Sequence, residues 1–316
     1  MSTATESVRP LRFGVAAHGA PSAERWRALA RQVEDLGYAT LLLPDHTNPQ
    51  FAPIAGLTAA AAATTSLRVG TAVLSNDFRN PVLAAKEVAT LDVLSDGRVD
   101  WGMGAGWLTS DYDATGIAFE EPSARVDRLI ESVTVMRALF GGDPVDHVGA
   151  HYRIRNVSGT PAPLQRPHPP LLVGASRRRL LTFAGSEADI VHISPSWSSR
   201  RIGGYEPTID VESSMDRQVG WIRAAAGDRF DRVELALTAM PVEVTEERAA
   251  AFERIAPHVG LTPEQALVSP HLLVGTVDEI CATLLERRNR WGLSYWIIPA
   301  GRHEAFAPVV ARLAGR

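Results

Sequence analysis

The sequence predicts a single-domain (β/α)₈ TIM barrel across residues 1–316, and three observations lead there. Eight short apolar runs alternate with segments of helical period over about 300 residues. The clearest of these runs end in turns rich in Gly, Ser, Asn and Asp, as strands do where parallel α/β folds bind ligands. The first strand does not end in the Gly-x-Gly-x-x-Gly turn of an open doubly wound sheet; Val15-Ala16-Ala17-His18-Gly19 stands there instead.

Taken in order, residues 1–10 read as a flexible tail without the apolar core of a signal peptide. Leu11–Ala17 is the first strand. Pro21-Ser22 opens an amphipathic helix to Leu36, with Trp26, Leu29, Ala30 and Val33 on one face and Gly37 as its stop. Ala39–Leu43 is the second strand, and it runs into Pro44-Asp45-His46-Thr47. Ile54–Thr65 is an alanine-rich helix. Leu67–Leu74, Val82–Leu94 and Arg98–Gly102 form one strand–helix–strand unit, which ends in Met103-Gly104-Ala105-Gly106-Trp107.

A long helix starts at Pro122-Ser123 and stops at Gly141-Gly142. Residues 145–170 break the pattern and read as a hairpin or extended excursion. Leu171–Val173 is the fifth strand, leading through Gly174-Ala175-Ser176 into a helix over Arg177–Gly185. Ala188–Ile193 is the sixth. Residues 195–210, with Trp197, have no clear period and read as a second irregular excursion, a candidate lid. A helix over Val211–Ala226, a strand over Arg232–Thr238 and a helix over Glu246–Ile255 follow. Leu261–Pro270 is a turn or short helix, and His271–Val274 is extended. Val277–Trp291 is helical, Tyr295–Ile298 is the eighth strand, and a last helix closes the chain.

The composition, 45% hydrophobic and 22% charged in 316 residues, supports a large core. A net charge of −4 argues against nucleic acid or an anionic membrane as the main partner. No run approaches the roughly 20 apolar residues of a membrane span. Cys281 is the single cysteine, so no intramolecular disulfide forms, and the chain fits a reducing cytosol. No Cys/His cluster has metal spacing, and no Gly-x-Ser-x-Gly elbow is present. Lys86 is the one lysine among 32 basic residues, a bias expected of a GC-rich, for example actinobacterial, genome.

Four stretches carry candidate chemistry. Asp45-His46 follows the second strand, where an imidazole can exchange a proton near neutral pH and a neighbouring carboxylate can fix its tautomer or a ligand hydroxyl. Ser75 and Asn76 end the third strand beside it. Gly104, Ala105, Gly106 and Trp107 follow the fourth, where glycine lets backbone approach a flat ring or a phosphate. Gly174, Ala175, Ser176 and Arg177 open a helix, and free N–H groups with a hydroxyl and a guanidinium suit an anion. Taken singly, each also reads as an ordinary polar turn or helix cap.

Together, Leu36-Gly37-Tyr38 to Leu43-Pro44-Asp45-His46, then Leu67–Leu74, then Arg98–Trp107 resemble the bacterial luciferase-like monooxygenase superfamily, and in particular its branch of deazaflavin (coenzyme F420)-dependent oxidoreductases. The resemblance covers about residues 11 to 300. It implies a luciferase-like barrel with inserted segments and hydride transfer between F420 and a small organic substrate. FMN with a partner reductase and O₂ is the alternative, and a cofactor-binding protein without turnover a third. It implies that Asp45 and His46 lie at the reactive centre, and that Ser75, Asn76 and Gly104–Gly106 line the ring. It places Gly174–Arg177 at the cofactor phosphate. It also implies that Ala72–Val73 is a bulge, often with a non-proline cis peptide, pressed behind the ring. Trp107 stands where the family's sugar-phosphate dehydrogenases have a glutamate, and their substrate-holding lysines are missing. A more apolar substrate, of an aromatic or terpenoid kind, is therefore expected. A homodimer joined through barrel helices is expected as well, the Ala59–Ala63 run allowing close approach.

Overall fold

The structure is a computed structural model that describes residues 9–195 and 212–316. Eight parallel strands form its centre: β1 Arg12–Ala16, β2 Thr40–Leu43, β3 Arg68–Thr71, β4 Val99–Gly104, β5 Leu171–Ala175, β6 Ile190–Ile193, β7 Glu234–Thr238 and β8 Leu293–Pro299. Each pairs with its sequence neighbours. β3 meets β4 at Val69–Val99, and β1 meets β8 through Gly14–Ile297, so the sheet closes into the expected TIM barrel. The helices that cover it are α1 Ala23–Asp35, α2 Pro53–Ala61, α3 Pro81–Leu94, α4 Pro122–Phe140, α5 Arg178–Glu187, α6 Glu212–Ala226, α7 Val277–Trp291 and α8 His303–Leu313. Among the described residues, no helix is long and apolar enough to cross a membrane.

Two apolar layers hold the barrel. A large core lies between strands and helices, around Trp26, Trp101, Trp296, Phe140 and Phe306. A smaller one fills the barrel interior with Leu42, Leu172, Ile190, Ala236, Tyr295 and Ile297. Tyr295 needs Gly14 beside it, because a Cβ there would lie 2.9 Å from the phenol oxygen.

The amino-terminal end of the barrel is closed by charge. Asp100 receives Arg12 and a fork from Arg68 (Nε 2.9 Å, Nη2 2.6 Å), while Arg12 also reaches Glu234 (2.9 Å) and the Thr40 hydroxyl (2.7 Å). Burial pushes the Asp100 carboxyl up, but the two guanidiniums outweigh it and hold it below the usual range.

The first excursion contains the expected hairpin, Pro144–Val148 against Arg153–Ser158. Its proline-rich half is stapled down by Gln165, whose side-chain amide and backbone N–H donate to Asp92 (2.7 and 3.0 Å) and whose side-chain carbonyl accepts from Arg68 (3.1 Å). His147 and His168 of this segment are half-buried: His147 pairs with Glu131 (3.0 Å), and His168 packs edge-on to Trp101. The second excursion and Trp197 lie outside the described residues, apart from Pro195.

A second insertion follows β7. Strands Val242–Val244 and Leu273–Gly275 pair in parallel, and helices Arg248–Ile255 and Pro263–Val268 pack on them around Phe252, Ile255 and Val274.

Several element ends shift by two to four residues, and three differences stand out. The third strand is not continuous to Leu74; it breaks at Ala72–Val73, resumes at Leu74–Ser75, and carries a cis Ala72–Val73 peptide, as the resemblance implied. β8 begins two residues earlier than expected, at Leu293. A short helix, Thr109–Thr115, follows Trp107, where the sequence pattern showed none.

Candidate active site

A cavity of about 680 Å³ opens at the carboxyl end of the strands, within the roughly 300–1,000 Å³ of small-molecule pockets. Asp45, His46, Ala72, Val73 and Ser75 border it, as do Gly104–Trp107 and Gly174–Arg177. Loops that end four different strands thus converge on one space. Asn76 is the expected site residue that does not border it. It starts a one-turn 3₁₀ helix that aims it at the hairpin, where its amide donates to the Tyr152 hydroxyl (3.3 Å).

His46 is oriented by Asp111, not by its neighbour Asp45. Asp111 Oδ2 accepts from His46 Nδ1 (2.7 Å), and Oδ1 accepts from the Thr47 N–H (3.0 Å) and hydroxyl (2.8 Å). A carboxylate only accepts, so the imidazole proton sits on Nδ1 and Nε2 is left for the cavity. Burial alone would raise the Asp111 carboxyl; the bonds from His46 and Thr47 prevail and hold it below the usual range. Asp45 instead forms an ion pair with Arg79 and accepts from the Ser75 N–H (3.0 Å), which ties the second-strand loop to the third. Trp107 packs edge-on to His46 at 5.8 Å between ring centroids and is 38% exposed.

The glycines also have a local purpose within the fold. A Cβ at Gly104 would lie 2.5 Å from Val73 Cγ2, and one at Gly102 would strike the Thr71 carbonyl. The β4 glycines therefore make room for the bulge itself. Gly106 has φ +73°, and a Cβ there would strike the Tyr112 hydroxyl. Tyr112 donates to Asp77 (2.9 Å), which Arg128 pairs from its other side (2.8 Å). Burial, reinforced by Asp77, pushes the Tyr112 phenol up to about 12. Arg125 grips the carbonyls of Ala105 and Gly106 and stacks on Phe119 at 4.2 Å, which fixes the β4 loop.

Arg177 caps α5 without a side-chain bond, so no cap side chain occupies the first-turn N–H groups, while the Ser176 carbonyl is held by Gln218 (3.0 Å). Arg179 pairs with Asp127 and reaches the Ser123 carbonyl.

Three residues on the β6–β7 side escaped the sequence reading. His192 Nε2 lies 2.9 Å from the Thr238 hydroxyl, and His271 Nδ1 lies 3.4 Å from the Thr238 carbonyl. Burial lowers both imidazoles to about 4, so both are neutral at physiological pH. His192 lies near the end of β6, a signal masked by its apolar run, while His271 sits in the insertion before the strand Leu273–Gly275, away from any barrel-strand end.

The chain matches the luciferase-like monooxygenase family over residues 7–272. An FMNH₂-dependent dimethylsulfone monooxygenase of Pseudomonas putida is 30% identical over 191 residues, 60% of this chain and 48% of that one. An F420-dependent glucose-6-phosphate dehydrogenase of Microbacterium testaceum is 32% identical over 164 residues, 49% of this chain and 48% of that one. These two alignments thus span about half the length of each relative. The F420-dependent tetrahydromethanopterin reductase of Methanopyrus kandleri has the same fold, with TM-score 0.77, 18% identity, and coverage of 97% of this chain and 99% of that one. A match across most of the chain, on a closed barrel with its cavity at the carboxyl end, makes this protein a member of the luciferase-like monooxygenase family.

Proposed function

We propose that the protein is an oxidoreductase that moves a hydride between coenzyme F420 and a small organic substrate, with His46 exchanging the accompanying proton. The observation that carries this reading is the Asp111–His46 pair, which presents Nε2 at the cavity. The residues present fit a flat deazaflavin or flavin. Ala72, Val73, Gly104, Ala105 and Gly174 make a wall of small side chains and backbone, and the uncapped start of α5 with Ser176 and Arg177 suits its phosphate.

The bound group would supply the hydride chemistry, and this chain's own part is the rest. Asp111 holds the tautomer of His46. His46 Nε2 takes or returns the proton at the substrate oxygen. Trp107 walls that point from water. Arg125 and Asp45 keep the two loops in place.

The relatives include both an F420-dependent and an FMNH₂-dependent enzyme. The Arg177 loop and the arginine-for-lysine bias of an actinobacterial type of genome support F420. A fluorescence titration of the purified protein decides between them. The expected result is tighter binding of F420 than of FMN. FMN binding at micromolar concentration with none for F420 would reverse the assignment to an FMN-dependent monooxygenase served by a partner reductase.

A further inference from the structure

β3 and β7 stand opposite each other in an eight-stranded ring. The Ala72–Val73 bulge follows β3, and the insertion over residues 240–275 follows β7. The cavity therefore has two facing walls of different chemistry. The insertion contributes Met240, Val259, His271 and Leu272. Among the described residues, none of the cavity-lining side chains from this wall is an acid, a lysine or an arginine. The cations that border the cavity come from elsewhere: Arg125, which is spent on carbonyls, and Arg177 and Arg179 at α5.

The insertion wall is built rather than loosely draped. Its helices enclose a small core of their own, separate from the barrel's. Arg287 of α7 is buried beneath it and donates to the carbonyls of Ser269 (2.8 Å), Pro270 (2.9 Å) and Leu272 (3.0 Å). Met240 N–H donates to the His271 carbonyl (2.7 Å), closing the insertion at its base. Burying a charge without a partner is costly, so a wall of this kind repels ionic groups and accepts apolar ones. At its foot, the Thr238 hydroxyl and the neutral His192 imidazole bond each other (2.9 Å) and add no charge.

We propose that the insertion at residues 240–275 is the substrate wall, and that it selects an uncharged, largely apolar substrate. This rests on the proposed function only in assigning the cofactor to the facing wall. It reduces the range of substrates to neutral ketones, aldehydes, alcohols and their apolar relatives, and sets aside phosphorylated sugars and carboxylates.

The test uses two titrations of the full chain. One follows the neutral, ketone-bearing fluorophore prodan, with the anionic anilinonaphthalene sulfonate as its counter-probe. The other follows F420 and FMN. Prodan should bind saturably, and the sulfonate about tenfold or more weakly. Met240→Glu, at a side chain 45% exposed, should weaken prodan by about tenfold or more and leave the cofactor within about twofold. Val259→Trp should do the same by filling the space. Arg177→Glu should give the reverse pattern. The proposal is overturned if prodan fails to saturate, if the sulfonate binds equally well, or if Met240→Glu spares prodan or weakens the cofactor as much as the probe. Prodan is titrated with and without cofactor. Wild-type protein that binds neither F420 nor FMN would therefore sink the proposed function, while the probe arm still decides the wall.

Discussion

Asp111 uses both carboxylate oxygens, one on His46 and one on Thr47. Replacing His46 with Ala should leave cofactor affinity within a few-fold and lower turnover by roughly 10²–10⁴. Asp111→Asn should act in the same direction, because an amide no longer enforces the Nδ1–H tautomer. Steady-state kinetics beside a cofactor titration separate this from a positional role, in which affinity would fall and turnover at saturating cofactor would survive. His46 was legible in the sequence because it directly follows a strand. Asp111 was not: its helix has no apolar period, and its partner lies 65 residues away. The two buried imidazoles make a second prediction at this scale. Their folded pKa lies near 4, below the unfolded value of about 6.5, so the unfolded chain binds more protons in between. Their contribution to stability is complete above about pH 6.5 and is lost as pH falls toward 4. Denaturant midpoints measured across that window should drop, and His271→Gln should make the drop shallower.

The break in the third strand shows where element-level reading stops. Residues Leu67–Leu74 alternate as one strand, and nothing local marks Ala72–Val73 except the family resemblance. The physical signal lies on the neighbouring strands, in glycines at 102, 104 and 174 that leave space for Val73. Such complementarity between distant positions has no period in either segment. The most regular helices, by contrast, were placed to within a few residues from spacing and caps alone. If Gly104 serves Val73, Gly104→Ala should cost about 1–3 kcal/mol by overpacking and weaken cofactor binding. Val73→Ala added to it should recover part of the stability. A double-mutant cycle measured by chemical denaturation gives the coupling, and additive losses would separate the two residues.

At the scale of the molecule, the two barrel ends have different tasks. Asp100, 1% exposed, collects Arg12 and Arg68 at the closed end, far from the cavity. Asp100→Asn leaves those guanidiniums short of a counter-charge and should cost about 3–5 kcal/mol in unfolding free energy. Cofactor affinity, titrated under native conditions, should hold. Pairing of two copies is expected on the α2–α3 side, where Leu83 and Leu94 are each 59% exposed. Ala60 and Ala61 cannot supply that face, because they pack into their own barrel. Light scattering should return twice the chain mass of 34.1 kDa.

The seam between β1 and β8 joins Gly14 to Ile297. During synthesis, β1 leaves the ribosome first and waits for a partner strand made near the end of the chain. Until β8 arrives, β1 and β7 each keep one side of unpaired backbone, the kind of edge that recruits other chains. Contacts so distant in sequence also slow the search for the native state. Refolding from denaturant should therefore lose yield steeply as protein concentration rises, and a chaperone that shields open sheet edges should restore it.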